Sequence, residues 1–271
     1  MKQPSEPNQD RLDGNGPHTV AGPVIRKDHQ LQPTTTDQRL LQPTTHAEWV
    51  HEDPWRVMRI QAEFVDGFGT LAELGPAISM FGSARTNPGD PLYEAAEIIS
   101  RRLVERGYAV ITGGGPGVME AGNKGAREAG GTSVGLGIEL PFEESMNRWV
   151  NLGINFRYFF ARKVMFLKYA RGFIVLPGGY GTFDELFEAL TLIQTGKIEH
   201  FPIALYGTEY WSGLIDWLRT QTLADGYIES HDLDLLMISD DLDEVVDHVI
   251  SGSREANAAD VASDRRGRSP M

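Results

Sequence analysis

Two glycine-rich stretches hold the residues whose types and spacing could do chemistry. They are "TGGGPGVME" (Thr112–Glu120) and "PGGYGTFDE" (Pro177–Glu185), and each follows an apolar run and precedes a segment with helical periodicity. Each should therefore bring bare backbone to a helix N-terminus, where unpaired N–H groups and the helix dipole favour an anion, most often a phosphate. Glycine also occurs at tight strand-to-helix turns that bind nothing, but two such loops together favour a phosphate or nucleotide site.

The spacing of these glycines does not match the two commonest nucleotide-binding motifs. A dinucleotide fingerprint GxGxxG that starts at Gly113 requires glycine at position 118, which is Val118. The phosphate-loop motif GxxxxGK[ST] does not occur in the sequence. Both the ordinary NAD interpretation and the P-loop interpretation are therefore weakened.

The elements around the loops must form a sheet that brings them together. Short apolar runs alternate with helical segments along the chain, and the runs are "AISMFG", "YAVITGGG", "TSVGLGI", "GFIVLPG", "FPIALYG" and "LDLLMIS". Uniformly apolar strands that alternate with helices indicate a parallel sheet covered on both faces. We therefore predict a doubly wound, Rossmann-like α/β fold, with its ligand at the carboxyl ends of the strands.

The composition divides the chain into one folded domain and two tails. Residues 1–47 are dominated by Gln, Pro, Thr and Asp, and the stretch "LQPTT" occurs at Leu31–Thr35 and again at Leu41–Thr45. Such a segment buries too little apolar surface to offset the entropy of ordering, so we predict a disordered N-terminal tail. Residues 48–251 should form one domain with a helical lead-in, and residues 252–271 a disordered C-terminal tail.

Charge and composition exclude several classes of function. The formal net charge of −13 argues against non-specific nucleic-acid binding, which needs clustered Lys and Arg. The chain has no cysteine, and its 7 histidines are scattered without a metal-binding spacing, so we expect no metal site. We find no apolar run near 18 residues and no signal peptide, and we therefore expect a cytoplasmic protein without a membrane partner.

A specific family resemblance rests on three of these features. The stretches "GGGPGVM" and "PGGYGTFDE", together with Arg162–Lys163 between them, resemble the LOG (lonely guy) family, whose pattern is PGGxGTxxE preceded by an Arg-Lys pair. The resemblance covers about residues 75–220. It implies a phosphoribohydrolase that needs no cofactor and acts on nucleoside 5′-monophosphates, either AMP or N6-modified forms such as cytokinin riboside monophosphates. The products would be free base and ribose 5-phosphate.

The resemblance also implies an oligomeric state. Members of the family form homodimers whose sites lie near the subunit interface. The helical segment Arg157–Ala170 is apolar over more of its circumference than a one-sided core contact needs, which favours either a partner or cover by the helical stretch Trp55–Leu74 of the same chain. Relatives often bear an older label of lysine decarboxylase, which we set aside because nothing in the sequence suggests a pyridoxal phosphate site.

The resemblance assigns roles to individual residues. Glu185 would stabilise the oxocarbenium character that develops when an N-glycosidic bond breaks, Arg162 would contact the substrate, and Lys163 would add positive charge. Without the motif, Glu185 could be an ordinary first-turn carboxylate and Arg162 a solvated helix charge. The other predicted contacts to substrate or phosphate are Ser83, Gly114, Gly115, Gly117, Met119, Glu144, Gly178, Gly179, Tyr180, Gly181, Thr182, Phe183, Asp184 and Thr191.

Some of these contacts have a second interpretation. Met119 is favoured as packing and Asp184 as a surface or capping neighbour, while Glu144 lies in a stretch, "FEESMNRWVNLGINFRYFF", that departs from the shorter plant members. Aromatic residues near this stretch could stack on a base, although most should be core or interface: Trp149, Phe156, Tyr158, Phe159 and Phe160.

Two other functions compete with N-glycosidic hydrolysis. A non-catalytic nucleotide or cofactor carrier on the same scaffold would have no need of Glu185, so that residue separates the two hypotheses. A hydrolase that attacks phosphate would need a Mg²⁺ site of clustered carboxylates at strand ends, which we do not find in the sequence. No residue in the sequence identifies the base.

Overall fold

The computed structural model describes residues 18–21, 24–27, 34–41, 49–140, 146–198 and 201–267. In chain order the strands are β1 (His18–Ala21), β2 (Val24–Lys27), β3 (Ala77–Phe81), β4 (Ala109–Thr112), β5 (Ser133–Ile138), β6 (Leu152–Phe156), β7 (Phe173–Val175), β8 (Ile203–Tyr206) and β9 (Leu236–Ser239). The helices are α1 (Thr36–Leu41), α2 (Trp49–Leu71), α3 (Pro91–Glu105), α4 (Val118–Glu128), α5 (Phe159–Tyr169), α6 (Tyr180–Gln194), α7 (Thr208–Trp217), α8 (Ser230–Leu233) and α9 (Leu242–Gly267). A π-helical turn, Leu218–Leu223, follows α7. Among the helices of these ranges, none is long and apolar enough to cross a membrane.

The predicted doubly wound sheet is confirmed. Seven parallel strands lie in the order β6-β5-β4-β3-β7-β8-β9, and β1 and β2 pair as a separate antiparallel hairpin. The chain moves outward from β3 to the edge strand β6, then returns to place β7 directly beside β3. Loops that leave β3 and β7 therefore diverge at the carboxyl end of the sheet, and a crevice opens between them.

The sheet carries helices on both faces because consecutive strand side chains point in opposite directions. In β3, Ala77 and Phe81 pack with α5, α6 and α7, whereas Ile78 and Met80 pack with α3, α4 and α9. All four of these side chains are at most 7% exposed. Uniformly apolar strands are what this two-sided burial requires.

Local sequence signals set several of the helix boundaries. Pro91 occupies the first turn of α3 as predicted, and the Asp90 carboxylate accepts a hydrogen bond from the Leu92 N–H at 2.8 Å. Gly107 follows the helix with φ of +86°, a conformation that favours glycine. The α5 helix begins at Phe159, two residues later than predicted. Residues 152–156 before it form the edge strand β6, which the sequence analysis missed. The side chains of β6 are mostly half-buried, so its sequence pattern differs from that of the central strands.

The start of α5 is held by two carboxylates from the N-terminal part of the chain. Glu63 of α2 is 4% exposed and accepts hydrogen bonds from the N–H groups of Arg157 and Tyr158, at 2.9 and 3.3 Å. Asp37 of α1 accepts the Phe159 N–H at 3.1 Å. Carboxylates at this position satisfy N–H groups that have no intrahelical partner and complement the helix dipole.

The division into a domain and two tails stays a prediction. Within residues 1–47 the structure places β1, β2 and α1, and beyond residue 251 the helix α9 continues to Gly267. The contact between Asp37 and Phe159 joins α1 to the domain.

Candidate active site

A crevice of about 1000 Å³ lies at the carboxyl end of the sheet, where the strand order reverses. Its walls come from the loops after β3, β4 and β7 and from parts of α5, α6 and α7. This is the position at which doubly wound sheets bind their ligands. Both glycine-rich stretches contribute to it, so the sequence prediction that they meet at one edge is consistent with the geometry.

The turn Pro177–Gly179, which we call the anion turn, leads directly into α6. Gly179 occupies the N-cap position without a side-chain cap, so the N–H groups of Tyr180 and Gly181 have no intrahelical acceptor. Such a helix start favours an anion, both through these donors and through the helix dipole. All of the residues named here line the crevice.

The glycines of this turn serve two different purposes. A β-carbon at Gly178 would collide with the Thr182 hydroxyl and approach the Gly82 carbonyl carbon to 3.0 Å, so close packing of the turn requires glycine there. At Gly179 and Gly181, by contrast, a β-carbon would meet nothing within 4 Å. The space beside these two glycines is open crevice, where a ligand can approach the backbone.

Glu185 is a buried carboxylate in the wall of the crevice. It is 6% exposed, lies on α6 beyond the anion turn, and its Oε2 atom accepts no hydrogen bond from the residues that the structure describes. Burial raises the pKa of its carboxyl from 4.5 to about 7, while the charges of Lys163 and Arg162 oppose that rise. A carboxylate poised near neutral pH and facing a cavity is typical of a catalytic acid or base.

Arg162 of α5 lines the same crevice. Its Nε atom donates to the Leu136 carbonyl at 2.7 Å, and its guanidinium carbon lies 5.1 Å from the centre of the Phe166 ring. A side chain at Gly113 would collide with the Arg162 Nη2 atom, so glycine in the first loop leaves room for the guanidinium. These contacts fix a positive charge within the wall of the crevice.

The glycine loop after β4 acts mainly as a rigid support. The Gly114 N–H donates to the Thr112 hydroxyl at 3.0 Å, and the Asn147 amide donates to the carbonyls of Gly114 and Gly115 at 3.1 and 3.0 Å. Gly117 has φ of +71°, and a β-carbon there would collide with the Ser83 carbonyl oxygen. Gly114 and Gly117 are thus used by the fold, and neither lines the crevice.

Comparison with known proteins decides the family. The family model described as "Possible lysine decarboxylase" matches residues 119–249. A probable cytokinin riboside 5′-monophosphate phosphoribohydrolase of Oryza sativa subsp. japonica is 31% identical over 170 residues, which cover 61% of this chain and 72% of that protein. The protein belongs to the LOG family. The family prediction made from the sequence is therefore confirmed.

A bacterial relative agrees with this assignment, and a solved structure is similar over much of the chain. The cytokinin riboside 5′-monophosphate phosphoribohydrolase of Mycobacterium marinum is 30% identical, over 60% of this chain and 87% of its own length. The molybdenum cofactor carrier protein of Chlamydomonas reinhardtii has a solved structure that covers 68% of this chain and 98% of its own, with 24% identity and a TM-score of 0.46.

Most of the residues predicted from the LOG motif meet in the crevice. Those that line it are Ser83, Gly115, Met119, Arg162, Gly178, Gly179, Tyr180, Gly181, Thr182, Phe183, Asp184 and Glu185. Glu144 lies outside the described residues. Of the aromatic candidates, Phe159 lines the crevice, whereas Phe156 and Tyr158 are fully buried in the core.

Besides Gly114 and Gly117, two other predicted contacts lie outside the crevice. Lys163 forms ion pairs with Asp184 at 2.9 Å and Glu188 at 2.5 Å, and it lines a shallow groove beside the crevice. Thr191 lines the same groove and donates its hydroxyl to the Phe187 carbonyl at 2.7 Å. Since no lysine is among the residues that line the crevice in the described part of the chain, the crevice offers no amine for a pyridoxal phosphate Schiff base.

The sequence analysis missed several residues of the crevice. They are Arg85, Thr86 and Asp90 after β3, the apolar Ile138 at the end of β5 and Leu140 after it, and Tyr210 of α7. The loop "GSARTNPGD" has the glycine, proline and polar content of a loop after a strand, and that signal could have identified Arg85. Tyr210 is in a helical segment with no motif, so no sequence signal pointed to it. Across the ranges that the structure describes, no cluster of His, Cys, Asp or Glu is arranged to hold a metal ion.

Proposed function

We propose that the protein hydrolyses the N-glycosidic bond of nucleoside 5′-monophosphates, giving free base and ribose 5-phosphate. One observation carries this proposal: a buried carboxylate, Glu185, lies on the helix α6 that follows the anion turn, and both face the same crevice. A carrier protein needs the anion turn but gains nothing from a carboxylate with a raised pKa beside it. The names of the LOG relatives, which specify phosphoribohydrolases, support the same function.

The geometry suggests how the substrate lies. Its 5′-phosphate would accept hydrogen bonds from Tyr180 and Gly181 N–H at the start of α6. One helical turn, about 6 Å along the axis, separates Gly181 from Glu185, so the ribose would extend from the phosphate toward the carboxylate. Binding energy from the phosphate then fixes the position of the anomeric carbon relative to Glu185.

The chemical step breaks the bond between the anomeric carbon and the base nitrogen. As that bond lengthens, its electron pair moves to the base and positive charge develops on the ribose, where ionised Glu185 stabilises it. A water molecule adds to the anomeric carbon, and Glu185 accepts its proton. The base takes up a proton from solvent at the nitrogen that the ribose leaves, and Glu185 then releases the proton of the water to solvent. Arg162 would hold an oxygen of the substrate.

Substrate preference tests the proposal directly. Purified protein should cleave AMP with a kcat/KM about 100-fold or more above that for adenosine, because the anion turn contributes only when a 5′-phosphate is present. Chromatography of the products should show free base and ribose 5-phosphate in equal amounts. Equal kcat/KM for AMP and adenosine would contradict the proposal.

The same assay addresses the base. Met119, Ile138, Leu140 and Phe159 give the crevice an apolar wall. The printed names of the LOG relatives specify cytokinin riboside 5′-monophosphates. We infer a purine nucleotide as substrate and a role in cytokinin biosynthesis, and AMP and its N6-substituted forms should be compared side by side.

We further propose a homodimer. Apolar side chains on α5 and α6 remain well exposed: Phe160 is 40%, Val164 37% and Phe187 38% exposed. The groove that contains Lys163 and Thr191 lies along the same two helices. Contact with a second copy would cover these side chains. Light scattering at low micromolar concentration should give twice the monomer mass, and a fully active monomer would contradict this arrangement.

A cytoplasmic location and the absence of nucleic-acid partners remain predictions. The support for them is the lack of cysteine and the net charge of −13.

A further inference from the structure

The orientation of the anion turn depends on one side chain from a different helix. Tyr210 of α7 donates its hydroxyl hydrogen to the Gly178 carbonyl at 2.6 Å, across 32 positions of the chain. We propose that Tyr210 is a positioning residue that orients the anion turn for the 5′-phosphate. This inference rests on the proposed function for the identity of the anion.

The carbonyl groups of the anion turn are each held by a donor of the protein. The Pro177 carbonyl accepts the Ser83 N–H at 2.9 Å, and the Gly179 carbonyl accepts the Thr182 N–H at 2.9 Å. Between them, the Gly178 carbonyl accepts the Tyr210 hydroxyl. Carbonyl oxygens carry partial negative charge and repel a phosphate, so an anion site needs them turned away.

Peptide geometry links this hydrogen bond to the anion. In a planar trans peptide the carbonyl and the following N–H point in opposite directions. The hydrogen bond that directs the Gly178 carbonyl toward Tyr210 therefore directs the Gly179 N–H away from it. The peptide between Gly178 and Gly179 can rotate easily, because glycine has no side chain and the space beside Gly179 is open. The hydroxyl of Tyr210 supplies that restriction.

The ring of Tyr210 is itself fixed by aromatic packing. It stacks on Phe183 of α6 with a centroid distance of 6.5 Å and an interplanar angle of 15°, and it meets the Trp211 ring edge-on at 4.9 Å. Trp211 is fully buried, and its indole N–H donates to the Tyr206 carbonyl at 3.1 Å. These ring contacts limit the rotamers of Tyr210, which is 43% exposed, so its hydroxyl can orient a backbone carbonyl with less loss of side-chain entropy.

The substitution Tyr210→Phe isolates the hydroxyl, since the ring and its packing remain. Calorimetric titration with ribose 5-phosphate should show a dissociation constant raised about fivefold or more, as expected for the loss of one hydrogen bond to a backbone carbonyl. With AMP as substrate, KM should rise while kcat stays within about twofold, because the hydroxyl acts on phosphate binding. The matched control is Tyr227→Phe, which removes the hydroxyl of a tyrosine that is 76% exposed and does not line the crevice.

The outcomes separate this inference from the proposed function. Weaker ribose 5-phosphate binding in Tyr210→Phe supports the inference, whether or not the wild-type protein cleaves AMP. A wild-type protein that does not cleave AMP contradicts the proposed function. An unchanged dissociation constant, or a wild-type protein that does not bind ribose 5-phosphate, overturns the inference.

If the variant loses more than about 5 °C in Tm, hydrogen–deuterium exchange distinguishes a local effect on the anion turn from general destabilisation. Faster exchange confined to residues 178–182 supports the inference, and a uniform increase over α6 and α7 overturns it.

Discussion

Replacement of Glu185 by glutamine is expected to lower kcat by about 10²-fold or more, while nucleotide binding stays close to that of the wild type. The amide keeps the size of the side chain and leaves the anion turn intact, but it removes the charge that faces the ribose. Single-turnover release of free base from AMP, together with a dissociation constant for ribose 5-phosphate, separates the two effects. Near-normal kcat in a folded variant would favour the carrier hypothesis.

A matched control tests whether Glu185 is simply a carboxylate near a helix start. Glu209 lies in the first turn of α7, is exposed, and does not line the crevice. Glu209→Gln makes the same chemical change near the start of a helix and should leave kcat within about twofold, since a surface carboxylate near a helix terminus contributes mainly to stability.

Activity should rise steeply with pH up to neutrality. The Glu185 carboxyl has a pKa of about 7, and the proposed chemistry needs its ionised form. The kcat/KM for AMP should therefore increase about 50-fold between pH 5 and pH 7 and level off above pH 8. The second ionisation of the substrate phosphate, near pH 6, adds to this rise. The residual activity of Glu185→Gln should still depend on the ionisation of the substrate phosphate. The wild type should therefore show a steeper pH profile of kcat/KM than the variant. Identical pH profiles would contradict the assignment of Glu185 as the group that must ionise.

The free energy of unfolding should decrease over the pH range in which activity rises. Because the pKa of Glu185 is 4.5 in its ordinary state and about 7 in the fold, the folded protein binds this proton more tightly than the unfolded chain does. The contribution to stability is complete below pH 4.5 and is lost as the pH rises through 7, by about 3 kcal/mol. Activity that increases while Tm decreases cannot be attributed to better folding, which makes thermal unfolding the control for the pH profile.

The sequence predicts those residues of the site that lie close together in one motif. Glu185 and the anion turn lie within nine residues of one another, and their relation along a helix follows from the helical repeat. Lys163 belongs to the Arg-Lys pair, and Thr191 lies further along the helix that follows the second glycine-rich stretch. Both line the neighbouring groove, because the direction of a helical side chain depends on how its helix is rotated in the fold. Tyr210 reaches the anion turn only through the pairing of β7 with β8.

The fold shows the same division between local and distant information. The central strands were predicted because burial on both faces leaves an uninterrupted apolar run. The edge strand β6 (Leu152–Phe156) was missed because most of its residues are only partly covered, so their composition is mixed. Pairing with β5 gives β6 its backbone hydrogen bonds, and no signal within the segment itself predicts that neighbour.

The two carboxylates at the start of α5 define how much of the chain the catalytic unit needs. The segment matched by the family model begins at residue 119, yet the N–H groups of Arg157 and Tyr158 rely on Glu63, and that of Phe159 on Asp37. A version of the chain trimmed to residues 75–220, the extent of the motif resemblance, would leave these donors without their acceptors, at a cost of about 1–3 kcal/mol each where they are buried. Arg162 lies one turn further along the same helix. We therefore expect the smallest stable unit to include Asp37 and Glu63, which support the start of the helix that carries the arginine.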